Sequence, residues 1–518
     1  MIDAGKQPSA AVPLIGRVPF KGDRVQCVAN AGVFTQAGVM DWIRMVLLTA
    51  LAAVLPNAVL DVQARHPNIV LILADDMGYG DAGCYNPDSL IPTPNIDRLA
   101  REGMRFTDAH SPSSVCSPTR YGILTGRYAW RTVMKSRVLW AWDRPLIAAD
   151  RNTLPKVLKR RGYHTACIGK WHLGWIWKTA DGSPLKMPFE IGEPGPHAKR
   201  VELSRAIDYS QRLGGGPLAA GFDYYFGDDV INQPPFLWIE NDRCLTLPTL
   251  PLHPKVLRGS SNGACTPGWD QRDVLPRMTR KALSFLDERA NSGKPFFLYF
   301  PLTAPHVPIV PPAEFEGRSR FGPYGDFVAY VDDVTGQVMA RLKSSGLDEN
   351  SLVIFASDNG SYASPKDGHL PNGKRRGRKG MIYEGGHRIP LIVRWPGNVP
   401  AGSVNHNLVG LNDLAATVAA IISNPDPPTK FPDSINLLPT LRDPGVSVRS
   451  ALVNHSVAGQ FAIRDHGWKL ILPLKAGDAG ELYDLESDPL EKKNLWSSKP
   501  AMVERMKTTL ASIRASGD

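Results

Sequence analysis

The sequence predicts an α/β protein: one large, mixed but mostly parallel sheet with helices on both faces, followed by a smaller C-terminal α+β subdomain with an antiparallel sheet. The first observation is a set of short, continuously apolar runs, which are typical of strands covered on both faces. The second is that helical patterns separate these runs, and strand–helix alternation favours a parallel sheet. The third is a change of pattern after about residue 402, where short strand-like runs follow one another.

The predicted elements of the large domain, which we place at residues 65–401, alternate along the chain. Apolar runs predict strands over 67–74, 164–168, 295–300, 352–356 and 390–395. Helical patterns lie over 94–102, 155–161, 278–290 and 326–343. Between them, the Pro- and Gly-rich stretch 175–275 is interpreted as long loops, which on such a scaffold usually shape a binding site.

Residues 402–518 form the predicted C-terminal subdomain. A helix-like segment over 412–422 is followed by a Pro- and Asp-rich stretch, and a second helix is predicted over 502–513. Short strand-like runs lie between them, over 450–454, 460–464 and 468–473. Consecutive short strands favour an antiparallel arrangement.

Residues 40–64 have the organisation of a signal peptide. Arg44 precedes an apolar run, and Val62-Gln-Ala64 is a plausible cleavage site for export to the periplasm or beyond the cell. The run is short and interrupted by Pro56, so it predicts no membrane span. Because 39 residues precede this segment, we interpret residues 1–39 as a non-native or disordered extension. The alternative is a genuine N-terminal extension.

The composition excludes few functions by itself. The formal net charge of +10 suits a polyanion or is simply solvated surface charge. No basic stripe with interleaved aromatic residues is present, so we expect no nucleic-acid partner. The six cysteines contain no CxxC pair and no zinc spacing. Cys244 and Cys265 remain a possible disulfide pair in an exported protein.

Four predicted strands run directly into charged or metal-competent side chains. They are followed by Asp75-Asp76, by Lys170 and His172, by His306, and by Asp358-Asn359. Since parallel strands present their carboxyl ends at one edge of a sheet, these side chains are expected to share a site. Carboxylate and amide oxygens suit Ca²⁺, and Mg²⁺ only if the geometry is tight. The alternative for an Asp-Asp pair alone is helix capping or a turn.

The segment Cys116-Ser-Pro-Thr-Arg120 is predicted to begin a helix. Ser117 is a suitable cap, Pro118 fits the first turn, and Gly126 is a suitable end. Cys116 would then lie at a helix N-terminus, which attracts anions, with Arg120 on the same face. The alternative for a single cysteine is a buried, inert thiol.

Taken in order, these motifs resemble the type I sulfatases of the alkaline phosphatase-like superfamily, over about residues 66–498. The resemblance rests on the following stretches: Asn68 to Asp81, Cys116 to Arg120 with Leu124-Thr-Gly-Arg127, Gly169-Lys-Trp-His-Leu-Gly174, Ala304-Pro-His306, Ser357-Asp-Asn-Gly360, Lys379 to Pro390, Glu481 to Leu485 and Asp488-Pro489.

The resemblance implies a role for each matching residue. Cys116 matches the cysteine that a formylglycine-generating enzyme oxidises to Cα-formylglycine, the nucleophile. His172 would assist the hydrated aldehyde, and His306 would donate a proton to the leaving alcohol. Arg120, Lys170 and Lys379 would neutralise charge. The calcium ligands would be the modified Cys116 with Asp75, Asp76, Asp358 and Asn359.

The substrate is predicted by similarity to carbohydrate-acting members of the family. Gly221 to Gly227 and Ile239 to Arg243 carry this similarity, and it implies a sulfated sugar such as a galactose or N-acetylgalactosamine 6-sulfate. Candidate sugar contacts are Asn241, His369 and His455. Asn241 is alternatively a turn residue, and His455 a structural one.

Two further interpretations remain open at this point. The run Lys374-Arg-Arg-Gly-Arg-Lys379 is unusually basic and would either hold a second anionic group or simply be surface. Related enzymes that share the nucleophile and the metal hydrolyse phosphonate or phosphate diesters, and a secreted glycan-binding protein with an unmodified cysteine is the third alternative.

Overall fold

The structure, a computed structural model, describes residues 66–193, 195–251, 259–423, 430–475 and 477–516. The predicted extension and signal peptide therefore lie outside the described residues. Within the described residues, none of the helices is long and apolar enough to cross a bilayer.

Ten of the described strands form the main sheet. In chain order they are β1 (Asn68–Ala74), β2 (Met104–Phe106), β3 (His164–Ile168), β4 (Tyr224–Gly227), β5 (Ile239–Glu240), β6 (Arg243–Cys244), β7 (Phe296–Pro301), β8 (Ser351–Ser357), β9 (Leu391–Arg394) and β10 (Ser403–Asn405). Their order across the sheet is β10-β2-β9-β8-β1-β7-β3-β4-β5-β6. The five central strands, β8 to β4 in that order, are mutually parallel.

Antiparallel pairs flank this parallel centre. β9 is antiparallel to both β8 and β2, while β5 and β6 form an antiparallel edge next to β4. The apolar run predicted over 390–395 is therefore a strand of reversed direction. A run of buried residues does not encode direction, because either orientation buries both faces.

Alternate side chains of β1 enter two different cores. Ile69, Leu71 and Leu73 belong to one buried cluster, and Val70, Ile72 and Ala74 to the other, because successive side chains of a strand point to opposite faces. The sheet is thus covered on both sides, which explains the continuous apolar runs in the sequence.

Helices supply the partner surfaces of these two cores. Seven of the described helices are α1 (Pro94–Glu102), α2 (Cys116–Thr125), α3 (Leu154–Arg160), α4 (Val274–Ala290), α5 (Pro323–Ser344), α6 (Asp413–Ile421) and α7 (Pro500–Ala515). Residues of α2, α3 and α6 pack in the first cluster and those of α1, α4 and α5 in the second. Further helices span His197–Ala206, Gly216–Ala219, Glu384–His387 and Leu438–Arg442.

A separate antiparallel sheet lies near the C-terminus. Its strands are β11 (Ala451–His455), β12 (Phe461–Asp465), β13 (Trp468–Ile471) and β14 (Glu481–Asp484), in sequential order. Val453, Ile463 and Leu470 pack with Val503 and Met506 of α7 in a third buried cluster. The predicted fold class is confirmed.

Strand pairing in the structure continues past residue 402, the predicted start of the C-terminal subdomain. β10 lies beyond residue 402 yet pairs in parallel with β2 of the main sheet, and the small sheet begins only at Ala451. The division at residue 402 remains a prediction. Cys244 and Cys265 are free thiols, so the structure contains no disulfide between them.

A buried ionic network joins the small sheet to the segment around Glu384. Lys469 of β13 is fully buried, with its ammonium nitrogen 2.8 Å from Glu491 and 3.2 Å from Glu384. Arg464 of β12 lies 2.9 Å from Glu384 and 3.1 Å from Asp108. Burial opposes the charge on Glu384, but Arg464 and Lys469 hold its pKa well below the usual range. The two sheets are therefore held together by paired charges as well as by apolar contacts.

Replacing Lys469 by Met tests this network. The substitution leaves Glu384 and Glu491 buried without their shared cation, and we expect the free energy of unfolding to fall by about 3 to 5 kcal/mol. Urea denaturation followed by circular dichroism measures it. Lys507→Met is the matched control, because Lys507 is 41% exposed and its ion pair is with the exposed Glu504, so loss of that pair costs roughly 0.5 kcal/mol or less. Equal effects of the two substitutions would contradict the assignment.

Candidate active site

The carboxyl ends of β1 and β8 bring together three buried carboxylates. Asp75 and Asp76 follow β1, and Asp358 follows β8, its parallel neighbour. All three side chains are almost completely buried. The backbone N–H of Asp76, whose φ is +73°, donates to the Asp358 carboxylate at 3.2 Å. The structure thus brings together the three carboxylates that follow these strands in the sequence.

Each carboxylate has a cation from a different segment of the chain. The ammonium of Lys170 lies 2.6 Å from Asp75, and that of Lys379 lies 2.7 Å from Asp76. Arg120 of α2 donates to Asp358 at 2.7 Å. Lys170 comes two residues after the end of β3, and Gly169 between them has a φ of +135°. A larger residue would not fit at position 169, because an added Cβ would lie 2.0 Å from the Pro301 carbonyl oxygen.

The charges in this cluster are not evenly balanced. Burial alone would raise the pKa of Asp75, yet Lys170, His306, Arg120 and Lys379 hold it well below the usual range. Burial, and then the nearby Asp75, raise the pKa of Asp358 to about 7 in spite of Arg120. Asp358 is therefore the carboxylate whose negative charge is least compensated, and an added cation would stabilise its ionised form.

Cys116 lies beside this cluster at the start of α2. The helix begins at Cys116 itself, one residue before the predicted Ser117 cap, and Ser117 instead accepts a hydrogen bond from the Leu139 N–H. The Cys116 sulfur is 3.5 Å from an Asp75 oxygen, and its side chain is buried. Burial raises the pKa of this thiol to about 12, so an unmodified Cys116 is a protonated, weak nucleophile at neutral pH.

Two histidines occupy the ends of β7 and β3. The Nδ1 of His306 is 2.6 Å from the Val307 carbonyl, so Nδ1 carries the hydrogen, and Nε2 lies 3.8 Å from Asp76. The Nε2 of His172 donates to the Leu139 carbonyl at 2.8 Å, which leaves Nδ1 as a buried acceptor without a partner among the described residues. Burial, then Lys379, lower the pKa of His306 to about 4, and burial, then Lys170, hold the pKa of His172 well below its usual range.

The oxygen-rich cluster fits a hard divalent cation. The Oδ1 of Asn359 is buried and has no hydrogen-bond partner within the described part of the chain, while its NH₂ group donates to Asp76 at 2.8 Å. Ligand atoms of Asp75, Asp76, Cys116 and His306 all lie within 4.8 Å of one another. An unpartnered buried amide oxygen beside three carboxylates is the donor set that Ca²⁺ prefers.

The predicted sugar contacts do not join this cluster. Asn241, at φ +56°, lies in the turn between β5 and β6, and its side-chain oxygen accepts from the Tyr225 N–H at 3.1 Å. His369 is fully buried, with Nε2 2.9 Å from Asp81 and Nδ1 3.3 Å from the Leu90 N–H. Both therefore stabilise the fold where the structure places them. His455 ends β11 in the wall of a separate cavity.

The basic run before Lys379 is partly structural. Arg375 stacks over Tyr79 at 3.9 Å, and Arg376 stacks over Tyr383 at 3.6 Å and donates to Tyr483. Arg378 donates to Ser364 at 3.4 Å and is exposed. Two of the three arginines are thus held by aromatic rings away from the carboxylates.

The sequence analysis missed three supporting carboxylates. Asp228 and Asp229 follow β4 as the other site residues follow their strands, and Asp229 accepts from the His172 N–H and the Trp175 indole. Asp81 accepts from the Tyr324 hydroxyl at 2.6 Å, and the same hydroxyl oxygen lies 3.1 Å from the Asp76 carbonyl oxygen. The strand-end pattern, applied to 224–227, would have identified Asp228 and Asp229.

This arrangement suits the chemistry of an anionic ester. Three fixed cations and a helix N-terminus surround a buried side chain at position 116, with one histidine able to accept and another able to deliver a proton. The same groups stabilise negative charge that develops on a transferred oxyanion.

Comparison with known proteins identifies the family. The Sulfatase family model matches residues 67–423, and the model of the C-terminal region of N-sulphoglucosamine sulphohydrolase matches residues 377–516. The chain is 31% identical to an N-acetylgalactosamine-6-O-sulfatase of Bacteroides thetaiotaomicron, over 87% of this chain and 94% of the relative. It is 33% identical to human arylsulfatase A, over 87% and 86% of the two chains.

Solved structures agree with this result. A structure from work on glycosaminoglycan metabolism by Bacteroides thetaiotaomicron has a TM-score of 0.74 and 30% identity, covering 87% of this chain and 99% of the other. A sulfatase from Pseudoalteromonas has a TM-score of 0.65 and 26% identity, covering 88% and 92%. With its alkaline phosphatase-like fold and its cluster of buried charges beside Cys116, the chain belongs to the sulfatase family and is an enzyme that hydrolyses sulfate esters.

Proposed function

We propose that this sulfatase removes sulfate from a sulfated sugar, with a formylglycine at position 116 as nucleophile and Ca²⁺ as cofactor. The observation that carries the proposal is the position of Cys116 at the start of α2, 3.5 Å from Asp75 and among three cations. An unmodified thiol with a pKa of about 12 is poorly suited to attack, whereas the Cys-x-Pro-x-Arg sequence supports its conversion by the formylglycine-generating enzyme.

The modified residue would supply a hydroxyl of the hydrated aldehyde for attack on sulfur and a second hydroxyl for release of sulfate. Asp75, Asp76, Asp358 and Asn359 would hold Ca²⁺, which supplies charge stabilisation of the sulfate oxygens. Arg120, Lys170 and Lys379 add fixed positive charge that needs no rearrangement during reaction.

The two histidines would divide the proton transfers. Nδ1 of His172 is an unpartnered acceptor, which suits removal of a proton from the nucleophile. The Nε2 of His306 would deliver a proton to the leaving alcohol. The pKa of His306 near 4 leaves it neutral in the free protein at pH 7, and the negative charge of a bound ester raises it.

The sugar is inferred from the relatives. The Bacteroides protein that is 31% identical over most of both chains is an N-acetylgalactosamine-6-O-sulfatase. We therefore propose a 6-sulfated galactose or N-acetylgalactosamine as the sulfated residue. Export follows as part of the proposal, since residues 40–64 have signal-peptide organisation.

Mass spectrometry of protein expressed together with the formylglycine-generating enzyme tests the nucleophile. We expect the peptide that contains Cys116 to have the mass of an aldehyde in place of the thiol, and 4-nitrophenyl sulfate to be hydrolysed. Cys116→Ala should lower turnover by roughly 10⁴-fold or more, because the attacking group is removed. Cys84→Ser is the control. If Cys116 is fully converted but the protein hydrolyses phosphate diesters and no sulfate esters, the phosphonate or phosphate diesterase alternative would be favoured.

Calcium titration tests the cation. Isothermal titration of chelator-treated protein should show one Ca²⁺ site, and Asn359→Ala should weaken binding by about 10- to 100-fold, since the free amide oxygen is lost. Asn398→Ala removes a comparable amide from a surface turn and should leave the affinity unchanged. Unaltered calcium affinity in Asn359→Ala would exclude this residue as a ligand.

Leaving-group dependence tests His306. In His306→Asn we expect kcat/KM on a sugar 6-sulfate to fall by about 10²- to 10⁴-fold, because an alkoxide leaves poorly without a proton. The decrease on 4-nitrophenyl sulfate should be much smaller, since nitrophenolate leaves unaided. The same decrease on both substrates would show that His306 acts on binding or on the nucleophile.

A further inference from the structure

A second, basic cavity lies between the segment after α2 and the small C-terminal sheet. Its volume is about 380 Å³. Its wall includes Arg127, Trp130, Arg131, Lys135, Phe461 and Arg514. Among the described residues that line it, none is acidic, so the cavity presents four cationic side chains and no lining carboxylate.

Two of these cations are available to a ligand. Arg131 is held by Asp433 at 2.8 Å. Within the described part of the chain, neither Lys135 nor Arg514 is paired with a carboxylate: the Lys135 ammonium donates to the Trp130 carbonyl at 2.7 Å, and the Arg514 guanidinium lies 4.7 Å from the Phe461 ring centre. Both side chains are exposed, so their charges face the opening of the cavity.

A buried donor also lines the cavity. The Trp130 side chain is 6% exposed and, among the described residues, its indole N–H has no hydrogen-bond acceptor. His455 is 4% exposed, and its ring lies close to the backbone of Gly459 and of Lys135. A buried indole N–H can only donate, and leaving it unsatisfied costs free energy, so its natural complement is an acceptor oxygen from a ligand.

The cavity lies close to the catalytic residue. The His455 carbonyl accepts from the Ser114 N–H at 3.0 Å and from the Ser113 hydroxyl at 2.9 Å. Only two residues of chain, at most about 8 Å, separate Ser114 from Cys116. The Arg137 N–H, two residues after Lys135, donates to Val457, and the Val457 N–H donates to Gly380 beside Lys379. The cavity and the carboxylate cluster thus share their connecting loops.

We propose that this cavity is a subsite for an acidic sugar that neighbours the sulfated residue in the same glycan, and that it binds the oxyanion of that sugar, a uronate carboxylate or a second sulfate. The inference rests on the proposed function and extends it from the sulfated residue to the chain that carries it. Lys135 and Arg514 contribute charge, the Trp130 indole donates a hydrogen bond, and Phe461 contacts the apolar side of the ring. His455, which the sequence analysis proposed as a sugar contact, would contact the sugar at this second site.

The test compares substrates that differ only in the neighbouring charge. A tetrasaccharide that alternates a 6-sulfated amino sugar with a uronic acid is measured beside 4-nitrophenyl sulfate and beside the same tetrasaccharide with its carboxylates reduced to alcohols. A fourth substrate is the tetrasaccharide with reduced carboxylates and one additional sulfate. It distinguishes binding of a sulfate from binding of a uronate carboxylate. The quantity is the ratio of kcat/KM for each glycan to that for the aryl sulfate.

In the double variant K135Q/R514Q, we expect this ratio to fall by about tenfold for the uronate tetrasaccharide, the effect of two partly exposed charge contacts. Lys507→Gln, on the same helix but outside the cavity, is the control and should leave the ratio unchanged. For the tetrasaccharide with reduced carboxylates and no additional sulfate, this ratio should be the same in K135Q/R514Q as in Lys507→Gln. Recovery of the tenfold effect with the additional sulfate would identify sulfate as an equal ligand.

An unchanged ratio in K135Q/R514Q, or an equal fall for the reduced glycan, would overturn the subsite. Trp130→Phe keeps the ring and removes the N–H, and a fall of about threefold in the same ratio provides an independent result if the double variant is unstable. Calorimetric titration of the desulfated tetrasaccharide requires no turnover: we expect Kd to rise about tenfold in the double variant. Unaltered binding there would contradict the subsite even if the enzyme proved inactive on every sulfate.

Discussion

The neutralisation of three buried carboxylates at one edge of the main sheet is the constraint on which the rest of the site depends. Asp75, Asp76 and Asp358 are each almost inaccessible to water, and an isolated buried carboxylate is strongly unfavourable. Their cations come from three separate segments, after β3, within α2 and before the Glu384 helix. Each segment must therefore fold into place for the others to be stable, which makes the site rigid before any substrate binds.

Further polar layers support this edge. Tyr324 of α5 donates to Asp81 and its hydroxyl oxygen lies 3.1 Å from the Asp76 carbonyl oxygen, while His369 Nε2 lies 2.9 Å from the other Asp81 oxygen. The small C-terminal sheet acts in the same way, because Lys469 contacts Glu384, five residues after Lys379. The C-terminal subdomain is thus part of the architecture that positions a site lysine, and its contribution is electrostatic as well as apolar.

The fold and the centre of the site could be predicted from the sequence because both depend on patterns within short stretches of the chain. Continuous apolar runs predicted β1, β3, β7 and β8, and the polar residues directly after those strands are the ones that the structure brings together. The helix start at Cys116 was predicted to within two residues, because the observed cap is Val115 and the predicted cap was Ser117.

Other features of the fold and of the site could not be predicted from the sequence, because they depend on contacts between residues that are distant in the chain. The direction of β9 and the burial of His369 against Asp81, 288 residues away, have no local signal. For Asn241 the sequence left a sugar contact and a turn residue open, and the structure places it at positive φ in a tight turn, a conformation that asparagine tolerates. The position of His455 in a second cavity depends on how the small sheet packs against the segment after α2, which no strand pattern encodes.

The charges of the site explain why a divalent cation and an anionic substrate belong together. Three carboxylates and three cations compensate one another almost completely, so the cluster by itself attracts a sulfate ester only weakly, while burial and then Asp75 raise the pKa of Asp358 to about 7. A divalent cation bound among these oxygens would stabilise Asp358 in its ionised form and leave the site positive. In the transition state for cleavage of a sulfate ester, negative charge spreads onto the leaving oxygen, and a positive site would stabilise that charge more than the charge of the bound ester. This difference between transition state and bound substrate is the condition for catalysis.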